Sequence, residues 1–306
     1  MQGKITIVGA GRVGSSSAWL AAIRELGNIV LVNRTENTAK GIALDISQSL
    51  PVEKSNSRII GASDYTETKN SDIIVITAGA QRTAGMTREQ LLETNAVIVK
   101  DIAKQTAKYS PNAVMVVVTN PLDAMVAVAA KHSGFPKERI MGMAGILDSA
   151  RFASFIAQEA NVSVKKVSAL VLGSHGGAMV PIISNSKVNG KPLAKILSKE
   201  KIDALVKRTI GAGEEIIKLQ ESSAYYAPAA AVVQMIEAVL KNKKLVLPVT
   251  AHLNGEYGIK GMFFGAPAIL GKNGVEKIIE LKISEEEKKQ LQNAAEKIRQ
   301  LVSQIE

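Results

Sequence analysis

Cysteine is absent from all 306 residues. Disulfides, thiolate metal ligands and cysteine nucleophiles are therefore excluded together. Histidine is nearly as scarce: His132, His175 and His252 are the only three, and none falls in an HExxH-type spacing, so no metal site is expected. Aromatic residues make up 4% of the chain, which leaves few platforms for stacking nucleic-acid bases. No stretch approaches the roughly 18 uninterrupted apolar residues of a membrane span. Neither a nucleic-acid nor a membrane partner is expected. The first residues, "MQGKITIVGAGRVG", enter a strand pattern at once without the layout of a signal peptide, so a cytoplasmic location is expected.

Hydrophobic residues make up 46% and charged residues 22%, ordinary values for a globular chain able to bury a sizeable core. The net charge of +10 comes from 38 Lys and Arg against 28 Asp and Glu. Such a field attracts nucleic acid, anionic lipid and small anionic substrates alike. The basic residues are dispersed along the chain, which fits a generally solvated basic surface.

The first half alternates short Val- and Ile-rich runs with longer amphipathic stretches. Strands are predicted at 4–9, 28–33, 58–63, 72–79, 114–120 and 139–144, and helices near 12–26, 36–49, 87–109 and 122–133. Apolar strands alternating with helices indicate a doubly wound parallel sheet covered on both faces, here assigned to residues 1–145. From 146 to 306 the pattern becomes α+β. A helix near 147–160 is followed by a strand over 167–173, helices near 200–221 and 227–242, and β-rich segments with turns. The chain closes with a helix over 284–305, where Ser284 stands as N-cap before "EEEKKQ".

"GAGRVG" sets Gly9, Gly11 and Gly14 between the first strand and the first helix. Dinucleotide binding needs glycines there for a tight turn, for close approach of backbone N–H groups to a pyrophosphate, and for helix-to-strand packing. The acid that usually ends the second strand, to hold the ribose 2′-hydroxyl of NAD, is replaced by Asn33, and Arg34 follows. One reading makes Asn33 a turn cap and Arg34 a solvated charge. The other removes a repulsive carboxylate and supplies a guanidinium to a 2′-phosphate, so that NAD or NADP, or both, would be used.

Three further segments hold polar residues in apolar surroundings. "AGAQRTAGMTREQ" bears Arg82 and Arg88 on a Gly-containing loop, "GILDSARF" spaces Asp148 and Arg151 three apart at a helix start, and "VLGSHGGAMVP" puts His175 in a Gly-rich loop. Each alone has an ordinary explanation as cap, ion-pair partner or packed histidine.

Together, GAGRVG, TAG with two loop arginines, VTNPLD, LDSAR and GSHGG stand in the order found in the lactate and malate dehydrogenase family, which the whole chain resembles. Within the family it looks most like the malate dehydrogenases that share the lactate dehydrogenase architecture, archaeal members included. The resemblance implies that His175 is the general acid/base and Asp148 its carboxylate partner. It implies that Arg151 grips the C1 carboxylate of the substrate, Arg88 polarises the C2 carbonyl, and Asn120 contacts the substrate near that oxygen. Gly9, Ala10, Gly11, Arg12, Val13, Gly14, Asn33, Arg34, Asn95, Val118 and Asn120 form the implied cofactor set. Arg82 stands where lactate dehydrogenases usually carry Gln and malate dehydrogenases Arg. A cation there would pair the C4 carboxylate of a small dicarboxylate, so (S)-malate and oxaloacetate are expected. Lactate or another 2-hydroxy acid is the nearest alternative, and a non-catalytic dinucleotide- or nucleic-acid-binding protein a remote one. The family also implies a homodimer or homotetramer. Where many relatives have an acid before the histidine, this chain has Ser174.

Overall fold

The computed structural model describes residues 3–80 and 87–305. Arg82 lies outside the described residues, as does the side chain of Arg88. The first half runs β1 (Gly3–Val8), α1 (Arg12–Ile23), β2 (Gly27–Val32), α2 (Glu36–Glu53), β3 (Ile59–Ala62), β4 (Ile73–Ile76), α3 (Arg88–Tyr109), β5 (Val114–Val117), α4 (Leu122–Ser133) and β6 (Ile140–Gly142). The second half runs α5 (Gly145–Glu159), β7 (Val167–Ser168), β8 (Val171–Gly173), β9 (Met179–Pro181), β10 (Lys187–Val188) and β11 (Lys191–Pro192). It continues through α6 (Lys199–Gln220), α7 (Tyr226–Leu240), β12 (Leu245–Asn254), β13 (Lys260–Gly271), β14 (Gly274–Ile278) and α8 (Glu285–Val302).

Strands β3-β2-β1-β4-β5-β6 pair in parallel in that order. Their central residues are buried on both faces, as the unbroken apolar runs require. On one face Ala18, Ala21 and Ala22 of α1 share a core with Val232, Val233 and Ile236 of α7. On the other, Leu92, Val99 and Ile102 of α3 meet Leu122, Met125 and Val126 of α4. The order reverses between β1 and β4, where a doubly wound sheet opens a crevice at its carboxyl edge. Beyond β6 the same sheet continues antiparallel through β12, β13, β8 and β9, joined at Gly142 beside Thr250 and at Gly173 beside Gly265.

Three differences from the predicted elements have physical causes. The run expected as one strand over 167–173 divides: β7 joins the small sheet with β10 and β11, while β8 joins the large one. Its alternating side chains serve two cores, with Val167, Ala169 and Val171 on one side and Leu170 and Leu172 on the other. Helix α2 runs four residues past its predicted end, through Pro51, which gives up the one hydrogen bond its missing N–H would make, while Leu50 just before it is buried. The strands predicted at 72–79 and 114–120 stop at Ile76 and Val117. The chain leaves the sheet early there, and the residues released form walls of the crevice.

Helix ends follow their caps. Ser284 accepts the N–H of Glu287, whose carboxylate returns to the Ser284 N–H, and Thr87 and Gln90 make the same box at the start of α3. No helix among the described residues is long and apolar enough to cross a membrane.

Candidate active site

Loops from four parallel strands meet at the carboxyl edge. The Gly9 N–H donates to the Val32 carbonyl at 2.8 Å, and the Ala78 N–H to the Val8 carbonyl at 2.9 Å, so the turns after β1, β2 and β4 hold one another. Gly9 has φ +112°, and a Cβ there would lie 2.6 Å from the Ala78 backbone nitrogen. A Cβ on Gly14 would lie 1.8 Å from the Gly9 oxygen, so its absence lets α1 seat against the turn. At Gly11 the situation is opposite, because a Cβ would meet no atom within 4 Å. The turn thus presents open space at the mouth of α1, with the helix N-terminus facing it, which fits a dinucleotide phosphate. Ala10 and Val13 flank that opening. The Arg12 backbone starts α1, but its side chain leans aside: Nη1 donates to Ser222 Oγ at 2.5 Å, and the guanidinium lies 5.5 Å from the Tyr225 ring centre.

Asn33 bridges two loops. Its Oδ1 accepts the Ala10 N–H at 3.4 Å and its Nδ2 donates to the Thr35 carbonyl at 3.2 Å. Arg34 beside it is exposed and forms no ion pair among the described residues. Asn95, on α3, is 1% exposed; its amide takes the Ala80 N–H at 2.7 Å and donates to the carbonyls of Ala80 and Asn120. It braces the loop after β4 against the loop after β5, a positioning part that spacing alone did not suggest. Val118 is half-buried in the wall, and Asn120 is exposed at the rim. Two threonines not singled out in the sequence complete the stitching, Thr77 to the Gly9 carbonyl at 3.0 Å and Thr119 to the Ala78 carbonyl at 2.7 Å.

The second half supplies the titratable groups. Asp148, in the first turn of α5, is 1% exposed, and its Oδ2 lies 2.8 Å from His175 Nδ1. Its Oδ1 lies 3.4 Å from Arg151 Nη1. Residues 27 apart in sequence are thus joined with a third on one carboxylate. His175 stands in the turn between β8 and β9, which reverses through Gly176 at φ +115°. With Nδ1 committed to Asp148, Nε2 is the ring nitrogen left for a substrate. Burial works against a proton on this ring, but Asp148, with Asp123 behind it, outweighs that and holds the pKa above its ordinary value, Arg151 opposing.

Asp123 is the acid of VTNPLD, to which the motif itself gives no part. It is 4% exposed, and its carboxylate accepts the Ser174 hydroxyl at 2.7 Å, the His175 backbone N–H at 3.1 Å and the Thr250 hydroxyl at 3.1 Å. An acid beginning a helix reads in sequence as an ordinary first-turn residue, so only the fold reveals the contact.

Residues 3–142 match the model of the lactate/malate dehydrogenase NAD binding domain, and residues 146–306 that of the lactate/malate dehydrogenase alpha/beta C-terminal domain. The malate dehydrogenase of Bacillus israeli is 48% identical over 305 residues, covering 99% of this chain and 98% of that protein. Among solved structures, malate dehydrogenase from Salinibacter ruber has a TM-score of 0.95 at 41% identity, covering 99% of this chain and 97% of that one. Lactate dehydrogenase from Cryptosporidium parvum, complexed with lactic acid and β-nicotinamide adenine dinucleotide, has a TM-score of 0.96 at 40% identity, covering 99% and 98%. A glycine turn open at the switch point, a carboxylate-held histidine across from it and matches spanning both halves agree: this chain is an oxidoreductase of the lactate/malate dehydrogenase family.

Proposed function

We propose that the chain interconverts (S)-malate and oxaloacetate with NAD, and that it also accepts NADP. The 2.8 Å contact between His175 Nδ1 and Asp148 Oδ2 carries the catalytic part of this reading. The 48% identity to malate dehydrogenases over nearly the whole chain supports the substrate. Overall shape does not discriminate, since malate and lactate dehydrogenase structures fit almost equally well. The discrimination falls to Arg82, whose guanidinium would pair the C4 carboxylate once water is excluded.

Residues 1–145 take the cofactor and residues 146–306 supply the acid/base group. The bound nicotinamide supplies hydride at C2 in reduction and accepts it in oxidation. In reduction, His175 gives the proton on Nε2 to the C2 oxygen, so that one hydride and one proton turn the ketone into the alcohol. In oxidation, the neutral ring takes that proton back. Asp148 fixes the tautomer and stabilises the imidazolium. Arg151 grips the C1 carboxylate, Arg88 offsets charge developing on the C2 oxygen, and Asn120 donates nearby. NADP use is supported by the missing acid at Asn33 and the exposed Arg34. Membership of the family supports a homodimer or homotetramer, and we place the protein in the cytoplasm.

Steady-state kinetics on oxaloacetate and pyruvate, with NADH and with NADPH, test this reading. Oxaloacetate should be much the better substrate. Arg82→Gln should lower its kcat/KM by roughly 100-fold or more and raise pyruvate reduction relative to it, because an unpaired C4 carboxylate would then be buried. An unchanged oxaloacetate-to-pyruvate ratio in that variant would refute the malate assignment.

A further inference from the structure

The reaction as described leaves one buried acid without a part. Asp123 sits in the first turn of α4, three residues after Asn120, and is 4% exposed. Burial pushes its carboxyl above the ordinary carboxylate range, and the Ser174 hydroxyl and the His175 N–H act in the other direction. A buried acid is costly unless its oxygens are hydrogen-bonded, and stability alone would be served by an apolar residue of similar volume. Both oxygens are used here, on two different elements.

We propose that Asp123 is a positioning residue for the proton-transfer step: it ties the backbone that carries His175 to the helix start beside Asn120 and to β12. The inference rests on the dehydrogenase reading above. Asp148 secures the His175 ring at Nδ1, yet a ring held only through a side chain on another helix can still shift with its own main chain. Oδ2 of Asp123 removes that freedom by accepting the His175 N–H at 3.1 Å and the Ser174 hydroxyl at 2.7 Å. Oδ1 is anchored to Thr250 at 3.1 Å, at the strand position that bridges β6 to β12. Nε2 is thereby held in register with the Asn120 rim. Ser174 belongs to the device, because its hydroxyl satisfies the oxygen that the backbone N–H shares.

Among the described residues, few charged groups surround the pair. His175 faces Asp148 and Arg151 from α5 and Asp123 from α4. Asp123 also borders a cavity of about 340 Å³ edged by Lys137, His252 and Arg299. Removing the Asp123 charge therefore takes away one of the two carboxylates that favour a proton on His175, and the ring should titrate at lower pH.

The test compares Asp123→Asn, Ser174→Ala and Ser174→Thr with the wild type. It measures oxaloacetate reduction against pH, NADH affinity by fluorescence, Tm, and the His175 ring titration by NMR. In Asp123→Asn the charge is lost and a hydroxyl that now donates, that of Thr250 or of Ser174, must turn to accept the new amide N–H, so kcat should fall by roughly 10- to 100-fold, as for other small misplacements of a reacting group. NADH affinity should hold, and the His175 titration should move down. Ser174→Ala should show the same changes in smaller measure, about tenfold or less in kcat. Ser174→Thr keeps the hydroxyl and should stay close to wild type. Folded Asp123→Asn and Ser174→Ala proteins with wild-type kcat and an unmoved His175 titration would overturn the proposal. If Asp123→Asn does not fold, Ser174→Ala against Ser174→Thr decides by the same two readouts. A wild type inactive on oxaloacetate would count against the proposed substrate, and the His175 titration would still decide for or against the Asp123 contact.

Discussion

His175 binds its proton more tightly than an ordinary histidine. Burial disfavours the charge, but Asp148 and Asp123 prevail, so its pKa lies above the usual 6.5. Reduction uses the protonated ring and oxidation the neutral one. Oxaloacetate reduction should therefore be flat in kcat/KM at low pH and decline as pH rises through the raised value, while malate oxidation should climb over the same interval. His175→Ala should remove both dependences and lower turnover by roughly 100- to 10,000-fold, with NADH binding intact in a fluorescence titration. The same shift bears on stability. Because the folded state holds the proton more tightly than the unfolded one, the contribution is full below the ordinary value and fades as pH rises through the raised one. A second residue-scale prediction concerns the adenosine end of the cofactor. Asn33 already spends its amide on Ala10 and Thr35, so Arg34 is the group free to meet a 2′-phosphate. Arg34→Ile should move the NADPH-to-NADH ratio of kcat/KM toward NADH by about tenfold, the worth of one charge-assisted contact. Adding Asn33→Asp should move it further by repelling the phosphate, although a carboxylate beside the Thr35 carbonyl must turn away from its present position. An unaltered ratio would leave Arg34 as a solvated charge.

At the scale of elements, the seat of α1 against the first turn depends on one missing Cβ. Gly14→Ala would force a methyl group to within 1.8 Å of the Gly9 oxygen, and that oxygen also accepts the Thr77 hydroxyl, so turn and helix must separate. Overpacking of this kind costs about 1 to 3 kcal/mol, to be read as a lowered Tm, and KM for NADH should rise more than KM for oxaloacetate. Gly11→Ala is the contrast, since a methyl group there meets no protein atom and acts only on a bound phosphate. Elements also show where sequence patterns mislead. Beyond Ile76 the chain runs Thr77-Ala78-Gly79 and beyond Val117 it runs Val118-Thr119-Asn120, residues that a strand pattern tolerates, yet the ladder between the two strands ends at Ile76 and Val117. The division of 167–173 between two sheets is equally invisible to periodicity, since both pieces alternate in one phase.

At the scale of the whole molecule, the two halves are not independent. One core joins Ile5, Ile7 and Leu31 of the first sheet to Val232, Ile236, Val249 and Leu270 of the second half. Helix α7 thus covers a face of the cofactor-binding sheet although it lies late in the chain, and a Cβ on Gly3 would come within 3.0 Å of Leu240 at its end. Calorimetry should accordingly show one cooperative transition with calorimetric and van't Hoff enthalpies in agreement. Residues 1–145 expressed alone should expose the face that α7 covers and aggregate. Two resolved transitions, or a soluble folded fragment, would contradict a shared core.

By itself the sequence determined the strand–turn–helix that receives a dinucleotide, because glycine spacing and continuous apolar runs are local consequences of backbone geometry and burial. It likewise marked His175, Asp148 and Arg151 as polar residues in apolar settings, and Ser284 as a cap. What only the tertiary structure decided is which of these meet. Asp148 reaches His175 across 27 residues, Asn95 is turned inward as a brace, Arg12 leans on Ser222, and Asp123 receives the backbone of the catalytic turn. Each depends on how helices seat against a sheet that runs through both halves, and contacts between distant segments are set by packing of the entire core, to which a local pattern is blind.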